Sequence, residues 1–224
     1  MIRQLAFDLP AREAWRREDF FPSPANAAAL AAVDDWRNWP GGKLVLTGPK
    51  GSGKTHLARL WAAEAGAALL PAADLATADL PALSAHGAVA VEDAETAAGN
   101  PLAEAAFFHL HNLVTQSGHF LVTATRPPRD WGLTLPDLAS RLQAAPLARI
   151  EAPDDALLSA VLIKLFADRQ ITVPPTLIPY LVARMERSID AARALVAALD
   201  ARALAQGRPV TRQLAADLLG NTED

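Results

Sequence analysis

Three observations predict an α/β fold in which a parallel sheet flanked by helices is followed by an all-helical C-terminal domain. Short apolar runs alternate with helix-like segments as far as Pro153. These runs are continuously apolar, which is typical of strands buried on both faces of a parallel sheet. After Pro153 every patterned segment is helical. Strands that alternate with helices are the signature of this class.

The first part of the chain contains three predicted strands. We expect them in the runs KLVLTG, GAVAVEDAE and HFLVTATRPP. An Ala-rich helix precedes the first run, after the turn-like FPSP. Further helices are predicted in KTHLARLWAAEAGAALL, where Leu57, Leu60 and Trp61 share one face, and in LAEAAFFHLHNLVTQSG, which ends at Gly118.

The C-terminal part contains four predicted helices, and each opens on a capping residue or a proline. The four opening residues are Asp154, Pro174, Ser188 and Thr211. We therefore divide the chain into an N-terminal tail (1–14), an α/β nucleotide-binding domain (15–153) and a helical lid domain (154–224).

Composition limits the possible classes of function. The 224 residues are 51% hydrophobic and 21% charged, with a net charge of −4. The chain has no cysteine, which removes disulfides, thiolate metal sites and cysteine catalysis and fits a cytoplasmic protein. Apolar runs are too short for a membrane span, and we expect no secretory signal, because the first residues show neither an apolar core nor a cleavage site. The acidic balance gives no support for DNA binding, so we expect DNA contact to be weak or indirect.

A phosphate-binding loop is the strongest motif in the sequence. The stretch GPKGSGKT fits G-x-x-x-x-G-K-[ST] without a gap, between a predicted strand and a predicted helix. Its glycines let the backbone turn its N–H groups inward, and the helix N-terminus adds partial positive charge. Lys54 would reach the β- and γ-phosphates, and Thr55 would help to hold Mg²⁺. The motif predicts ADP or ATP with Mg²⁺ as cofactors, bound by Gly48, Pro49, Lys50, Gly51, Ser52, Gly53, Lys54 and Thr55.

Two carboxylates follow the apolar run AVAV. A P-loop protein needs one carboxylate at the end of a neighbouring strand to hold Mg²⁺, and often a second to orient water. Glu92 and Asp93 fit that place. We predict Thr55 and Glu92 as metal ligands and Asp93 as a catalytic carboxylate, with an exposed acidic turn as the alternative.

With these motifs, the sequence resembles the AAA+ family and, within it, the bacterial replication initiator DnaA and its relatives. The resemblance runs from about Asp19 to the end, in blocks of the same order. The blocks are DFFPSPAN, GPKGSGKTHL, VAVEDAE, LVTATRPPRDWGLTLPDLASRL and the helical C-terminal part. The family resemblance implies an adenine contact in the first block, the phosphate loop in the second and a lid in the last.

The resemblance also implies roles for single residues. Phe21 and His56 would lie at the nucleotide, and Thr125 would be the sensor-1 residue. Arg141 would be an arginine finger that serves the nucleotide of a neighbouring molecule. An arginine finger stabilises charge on the transferring phosphoryl group and accelerates hydrolysis by 10³–10⁵.

The sensor-2 arginine of the family falls near RSIDAARAL. The alignment places Asp190 at that position, and Arg193 follows one helical turn later on the same face. The candidate for the phosphate contact is therefore Arg193, with Arg187 as the alternative.

The tail carries three large apolar side chains in QLAFDL. From the pattern alone, this segment either binds a partner or lies back on its own core as an edge strand. The sequence has a core and a lid but no segment that resembles the DNA-reading domain of initiators, so the resemblance narrows to the Hda family, which switches the initiator off. In that family the tail binds the sliding clamp. The resemblance therefore implies that the beta-subunit clamp of DNA polymerase III is bound by Gln4, Leu5, Phe7 and Leu9.

The function expected from this resemblance is negative regulation of replication initiation. The protein would bind the clamp and stimulate ATP hydrolysis by DnaA. Glu92 and Thr125 stand where the family commonly has aspartate. We therefore expect weak intrinsic hydrolysis and ADP as the working ligand. A stand-alone AAA+ ATPase of the helicase-loader type and a clamp-anchored adaptor without a catalytic role stay open as alternatives, as does a homodimer.

Overall fold

The computed structural model describes Arg17 and residues 20–220 of the chain. The predicted clamp-binding residues Gln4, Leu5, Phe7 and Leu9 lie outside the described residues.

The centre of the first domain is a parallel sheet of five strands in the order β2-β3-β4-β1-β5. Lys43 lies opposite Phe120 and Thr47 opposite Ala124, so β1 and β4 end at the same edge. The strands are β1 (Lys43–Thr47), β2 (Ala68–Pro71), β3 (Ala88–Glu92), β4 (His119–Ala124) and β5 (Leu147–Arg149). The predicted class, an α/β fold with a parallel sheet flanked by helices, is confirmed.

Three strands agree with the prediction, and two short ones were not predicted. The segment GAALL was assigned to a helix, but that helix ends at Ala65, because Gly66 follows in the left-handed conformation with φ 66°. Strand β2 then begins at Ala68. Strands of three and four residues are too short to display a periodicity of their own.

Helices cover both faces of the sheet. They are α1 (Ala27–Asp34), α2 (Lys54–Ala65), α3 (Leu80–Ser84), α4 (Pro101–Val114) and α5 (Pro136–Gln143). Short 3-10 turns lie at Trp36–Asn38, Pro40–Gly42, Ala72–Thr77, Ala94–Ala97 and Pro128–Asp130.

Successive residues of β4 point to opposite faces of the sheet and pack into two separate hydrophobic cores. Phe120 packs with Phe107 on one face, whereas Leu121 packs with Leu57 and Trp61 on the other. All five side chains are almost completely buried. Burial of such a side chain contributes about 1.5–3 kcal/mol, so the two layers fix the sheet and the loops at its ends.

The C-terminal helices form a third core of their own, centred on Leu162, Phe166 and Leu199. The helices are α6 (Asp155–Asp168), α7 (Leu177–Val182), α8 (Ile189–Gln206) and α9 (Arg212–Leu219). Side chains cap three of them as predicted, those of Asp154, Ser188 and Thr211. Pro174 does not open a helix, because α7 begins three residues later, after Thr176.

Among the described residues, no helix has the length and apolar character that crossing a membrane requires.

Candidate functional site

Strand β1 leads directly into the predicted phosphate loop at the carboxyl edge of the sheet. The Gly48 N–H donates to the Ala124 carbonyl at 3.2 Å, which ties the loop to the end of β4. A Cβ on Gly48 would stand 2.5 Å from the Ile150 carbonyl oxygen and 2.8 Å from Ser52 Oγ. Only glycine fits so close to the neighbouring backbone. The sheet therefore fixes where the loop begins.

The loop itself turns through residues that favour glycine. Gly51 and Gly53 have φ values of 68° and 104°, in the left-handed region. Helix α2 begins directly after Gly53, so its unbonded N–H groups face the loop. Ser52 is buried, and its Oγ has no hydrogen-bond partner among the described residues. A phosphate oxygen is a suitable partner for this hydroxyl and for the helix N-terminus.

Lys54 lies inside the loop and is only 7% exposed. Its ammonium donates to the carbonyls of Gly48 at 2.8 Å and Pro49 at 2.9 Å. Burial lowers the pKa of Lys54, while nearby carboxylates oppose the shift; in order of effect these are Asp93, Glu95, Asp190 and Glu92. Lys54 is thus a desolvated cation, which interacts more strongly with an anion than an exposed lysine does.

The acidic pair separates into a buried and an exposed carboxylate. Glu92 ends β3 and is buried, and burial raises its pKa, against the effect of a hydrogen bond with Thr55. Its Oε1 has no hydrogen-bond partner among the residues that the structure describes. Buried carboxylate oxygen beside a threonine hydroxyl is the oxygen ligand set that Mg²⁺ prefers, so Thr55 and Glu92 fit a magnesium site. Asp93 is exposed, with φ 51°, and its N–H donates to Thr123 Oγ1 at 3.2 Å.

The structure adds a carboxylate that the sequence analysis missed. Thr125 follows β4 and donates to Glu95 Oε1 both from its N–H, at 2.7 Å, and from its hydroxyl. Glu95 also acts on the Lys54 ammonium. Thr125 itself has no carboxylate, but the Glu95 side chain brings one to the predicted sensor-1 position by its hydrogen bonds to Thr125. Neighbouring strand ends meet at one edge, and this rule could have suggested the pair.

An aromatic contact joins the segment before α1 to the start of α2. The Phe20 ring is buried and packs edge-on against His56, with ring centroids 5.4 Å apart. The predicted residue Phe21 is half-buried, and its carbonyl accepts from Asn26 Nδ2 at 3.0 Å. Its proposed adenine contact stays a prediction, as does that of His56.

The lid reaches the phosphate loop through the start of α8. The Ile189 N–H donates to the Gly51 carbonyl at 2.8 Å. Arg193 forms an ion pair with Asp190 at 3.9 Å, beside the loop. Arg187, by contrast, binds Asp155 at 2.7 Å and the Pro153 carbonyl at 3.1 Å, at the junction between the two domains. Of the two sensor-2 candidates, Arg193 is thus the one paired with a residue at the loop.

Arg141 lies elsewhere, on α5. Its side chain is exposed, and its guanidinium lies 5.3 Å from the centroid of the Phe108 ring. Its carbonyl accepts from Lys43 Nζ at 3.1 Å. Lys43 is the first residue of β1, whereas the phosphate loop follows the last. Arg141 therefore lies toward the amino edge of the sheet, opposite the loop.

Buried Glu104 fixes the segment that leads into α5. Its carboxylate accepts from the Gly99 N–H at 2.8 Å, from the Leu135 N–H at 2.7 Å, and from the N–H and hydroxyl of Thr134 at 2.9 Å each. Burial alone would raise the pKa of Glu104, but these hydrogen bonds outweigh it and hold the pKa below its ordinary value. The buried Glu104 carboxylate thus fixes the position of the residues just before α5, the helix that carries Arg141.

These features define the fold of an AAA+ P-loop domain with a helical lid. The same fold occurs in AAA+ domains of the replication initiator DnaA. Domain III of the Thermotoga maritima replication initiation protein DnaA matches with a TM-score of 0.78 at 19% identity, covering 95% of this chain and 98% of that chain. No protein-family model matches the chain.

Other solved structures share the fold. AMPPCP-bound DnaA from Aquifex aeolicus matches with a TM-score of 0.68 at 18% identity, over 84% of this chain and 65% of that one. The chain thus spans under two thirds of that initiator's structure. The AAA domain of FIGL-1 in complex with ADP matches with a TM-score of 0.66 at 14% identity, over 86% of this chain and 77% of that one.

Proposed function

We propose that this chain is a nucleotide-bound AAA+ protein that restrains DNA replication by stimulating ATP hydrolysis on the initiator DnaA. The observation that carries the proposal is the position of Arg141. It is exposed and contacts Lys43 at the amino end of β1. The phosphate loop lies beyond the carboxyl end of the same strand.

Distance is the reason why this position favours action on another molecule. Five residues of extended strand span about 13 Å between the first and last Cα atoms. An arginine at the amino end therefore lies too far from its own phosphate loop to contact a nucleotide bound there. An exposed guanidinium on an outer helix can instead enter the site of a neighbouring AAA+ domain and stabilise charge on the transferring phosphoryl group.

The chain's own loop would hold ADP or ATP. The Lys54 ammonium, the Ser52 hydroxyl and the N-terminus of α2 would bind the phosphates. Thr55 and Glu92 would hold Mg²⁺, which neutralises phosphate charge when bound. Glu92 is longer than the aspartate common in the family, and Asp93 is exposed. Both features favour retention of nucleotide over rapid turnover by this chain.

The tail would anchor the protein to the beta-subunit clamp of DNA polymerase III. Support comes from the sequence: QLAFDL offers a hydrogen-bonding glutamine followed by large apolar side chains. Coupled folding and binding of a peptide segment costs about 2–5 kcal/mol, and Leu5, Phe7 and Leu9 provide apolar area to offset it. Anchoring at the clamp would restrict the activity to ongoing DNA synthesis.

The test is ATP hydrolysis by DnaA, measured with and without this protein and with clamp loaded on DNA. We expect strong stimulation only when both are present, and loss of stimulation in the Gln4→Ala/Leu5→Ala double variant. Brisk ATP turnover by the isolated chain would instead support a stand-alone ATPase. Clamp binding without any stimulation would support an adaptor.

A further inference from the structure

An acidic side chain of the lid lies directly on the phosphate loop. Asp190 is the second residue of α8, next to Ile189, whose N–H donates to the Gly51 carbonyl at 2.8 Å. Asp190 Oδ2 stands 3.3 Å from the position that a Cβ on Gly51 would take. Ser188 caps the same helix and fills the space beside Gly51. The carboxylate is thus held at the loop by a backbone hydrogen bond and a capped helix.

The charge of Asp190 acts on the group that would bind the phosphates. Asp190 is one of four carboxylates that oppose the lowered pKa of the Lys54 ammonium. The lid also brings Arg193 to this place, but Arg193 pairs with Asp190 at 3.9 Å. The carboxylate of Asp190 therefore also offsets part of the positive charge that Arg193 would offer to a phosphate.

The repulsion between Asp190 and a bound nucleotide depends on the number of phosphates that the nucleotide carries. A nucleoside triphosphate carries one more negative charge than a diphosphate, placed on the terminal phosphate. Charges a few Å apart near a protein surface interact strongly enough to change an affinity by tenfold or more. A carboxylate held at the loop therefore weakens the binding of a triphosphate more than the binding of a diphosphate.

We propose that Asp190 is a specificity-determining residue whose carboxylate, held against Gly51 by the lid, makes the loop select a nucleoside diphosphate over a triphosphate. The inference rests on the proposed nucleotide site and assigns its choice of ligand to a single side chain. Removing the charge at Asp190 should strengthen triphosphate binding most and leave diphosphate binding nearly unchanged.

The experiment compares the dissociation constants of ADP and of non-hydrolysable AMPPCP, both with Mg²⁺, by calorimetry on the full chain. In the wild type we expect ADP to bind at least tenfold more tightly. In Asp190→Asn the preference should fall at least fivefold, and in Asp190→Arg it should disappear or reverse. The Asp190 side chain is 65% exposed, so both variants should fold, and thermal unfolding checks this.

Asp200→Asn is the matched control, because Asp200 lies on the same helix about 15 Å further along. Its described partner is Arg169 at 3.8 Å, away from the loop. It should keep the wild-type preference. An unchanged preference in Asp190→Asn, or a wild type that prefers AMPPCP, overturns the inference while nucleotide binding stands. A wild type that binds neither nucleotide overturns the proposed site and this inference with it.

Discussion

The two edges of the sheet have opposite characters. At the carboxyl edge, Lys54 and Glu92 are buried, and Ser52 Oγ and Glu92 Oε1 lack partners among the described residues. At the amino edge, Arg141 is exposed and packs on the face of Phe108, with its backbone fixed by Lys43. The first edge is arranged to enclose a ligand, and the second to present a cation outward.

Under the proposed function, this difference lets one fold hold a nucleotide at one edge and act from the other edge on a nucleotide bound by a second molecule. Buried polar groups without partners cost free energy unless a ligand satisfies them, so the carboxyl edge is built for occupancy. An exposed arginine breaks few contacts within its own chain when it moves, so its guanidinium can bind a second molecule. Variants at the two edges should therefore have separable effects.

Arg141→Ala gives the largest expected effect. Stimulation of DnaA-bound ATP hydrolysis should fall by about 10³-fold, because the transition state loses a bidentate cation. Affinity of the chain for its own ADP should stay within about twofold, since the strand of β1 separates the two places. Single-turnover hydrolysis by DnaA and calorimetry with ADP measure the two quantities.

Arg129→Ala is the control for that experiment. Arg129 is an exposed arginine that follows the carboxyl end of β4, ion-paired with Asp130 at 3.7 Å, and should retain full stimulation. Arg141→Lys should restore little, because an ammonium lacks the planar fork of guanidinium. Equal losses in Arg129→Ala and Arg141→Ala would contradict an arginine finger at Arg141.

Lys54→Ala tests the other edge with a smaller effect. ADP affinity should fall about 100-fold, because the variant removes a desolvated ammonium and leaves the phosphates facing Glu92 and Asp93. Lys50→Ala is a control within the same loop. The Lys50 side chain is exposed, and its predicted contact to phosphate is made by the backbone N–H, so the affinity should change less than about threefold. Thermal unfolding with ADP gives a second readout, since bound ligand stabilises only variants that bind it. Similar losses for both lysines would mean that net charge, not burial, governs binding.

The carboxyl edge could be predicted from sequence wherever its features are local. The phosphate loop is a contiguous motif, and β1, β3 and β4 are uninterrupted apolar runs, so one window of sequence contains each of them. The pairing of Glu95 with Thr125 spans thirty residues and depends on β3 and β4 being neighbours. No local pattern records that adjacency.

Other contacts were missed because sequence does not fix the direction of a side chain. Phe20 and Phe21 are adjacent and equally apolar, yet it is the Phe20 ring that packs against His56. Glu104 looks like an ordinary acidic residue in the first turn of a helix, which is favourable there in any protein. Its burial and its bonds to Thr134 and Leu135 follow from the tertiary packing of α4 and α5.

The smallest predicted effect concerns stability at the amino edge. His111 is buried on α4, with Nε2 3.5 Å from Lys43 Nζ. Burial first, then the charges of Lys43 and Arg141, lowers the pKa of His111 to about 4. The unfolded chain, with an ordinary histidine pKa near 6.5, binds the proton earlier as pH falls. The stability that neutral His111 provides is therefore complete above pH 6.5 and is lost as pH falls toward 4.

We expect this residue to make the free energy of unfolding decrease by about 2 kcal/mol between pH 7 and pH 5. Urea unfolding of wild type and His111→Gln over this range measures the difference in slope, in which all other titrating groups cancel. His109→Gln is the control, because His109 is an exposed histidine of the same helix and should keep the wild-type slope. A wild-type slope in His111→Gln would show that burial and the charges of Lys43 and Arg141 do not keep His111 neutral. His111 would then contribute nothing to the pH dependence of the free energy of unfolding.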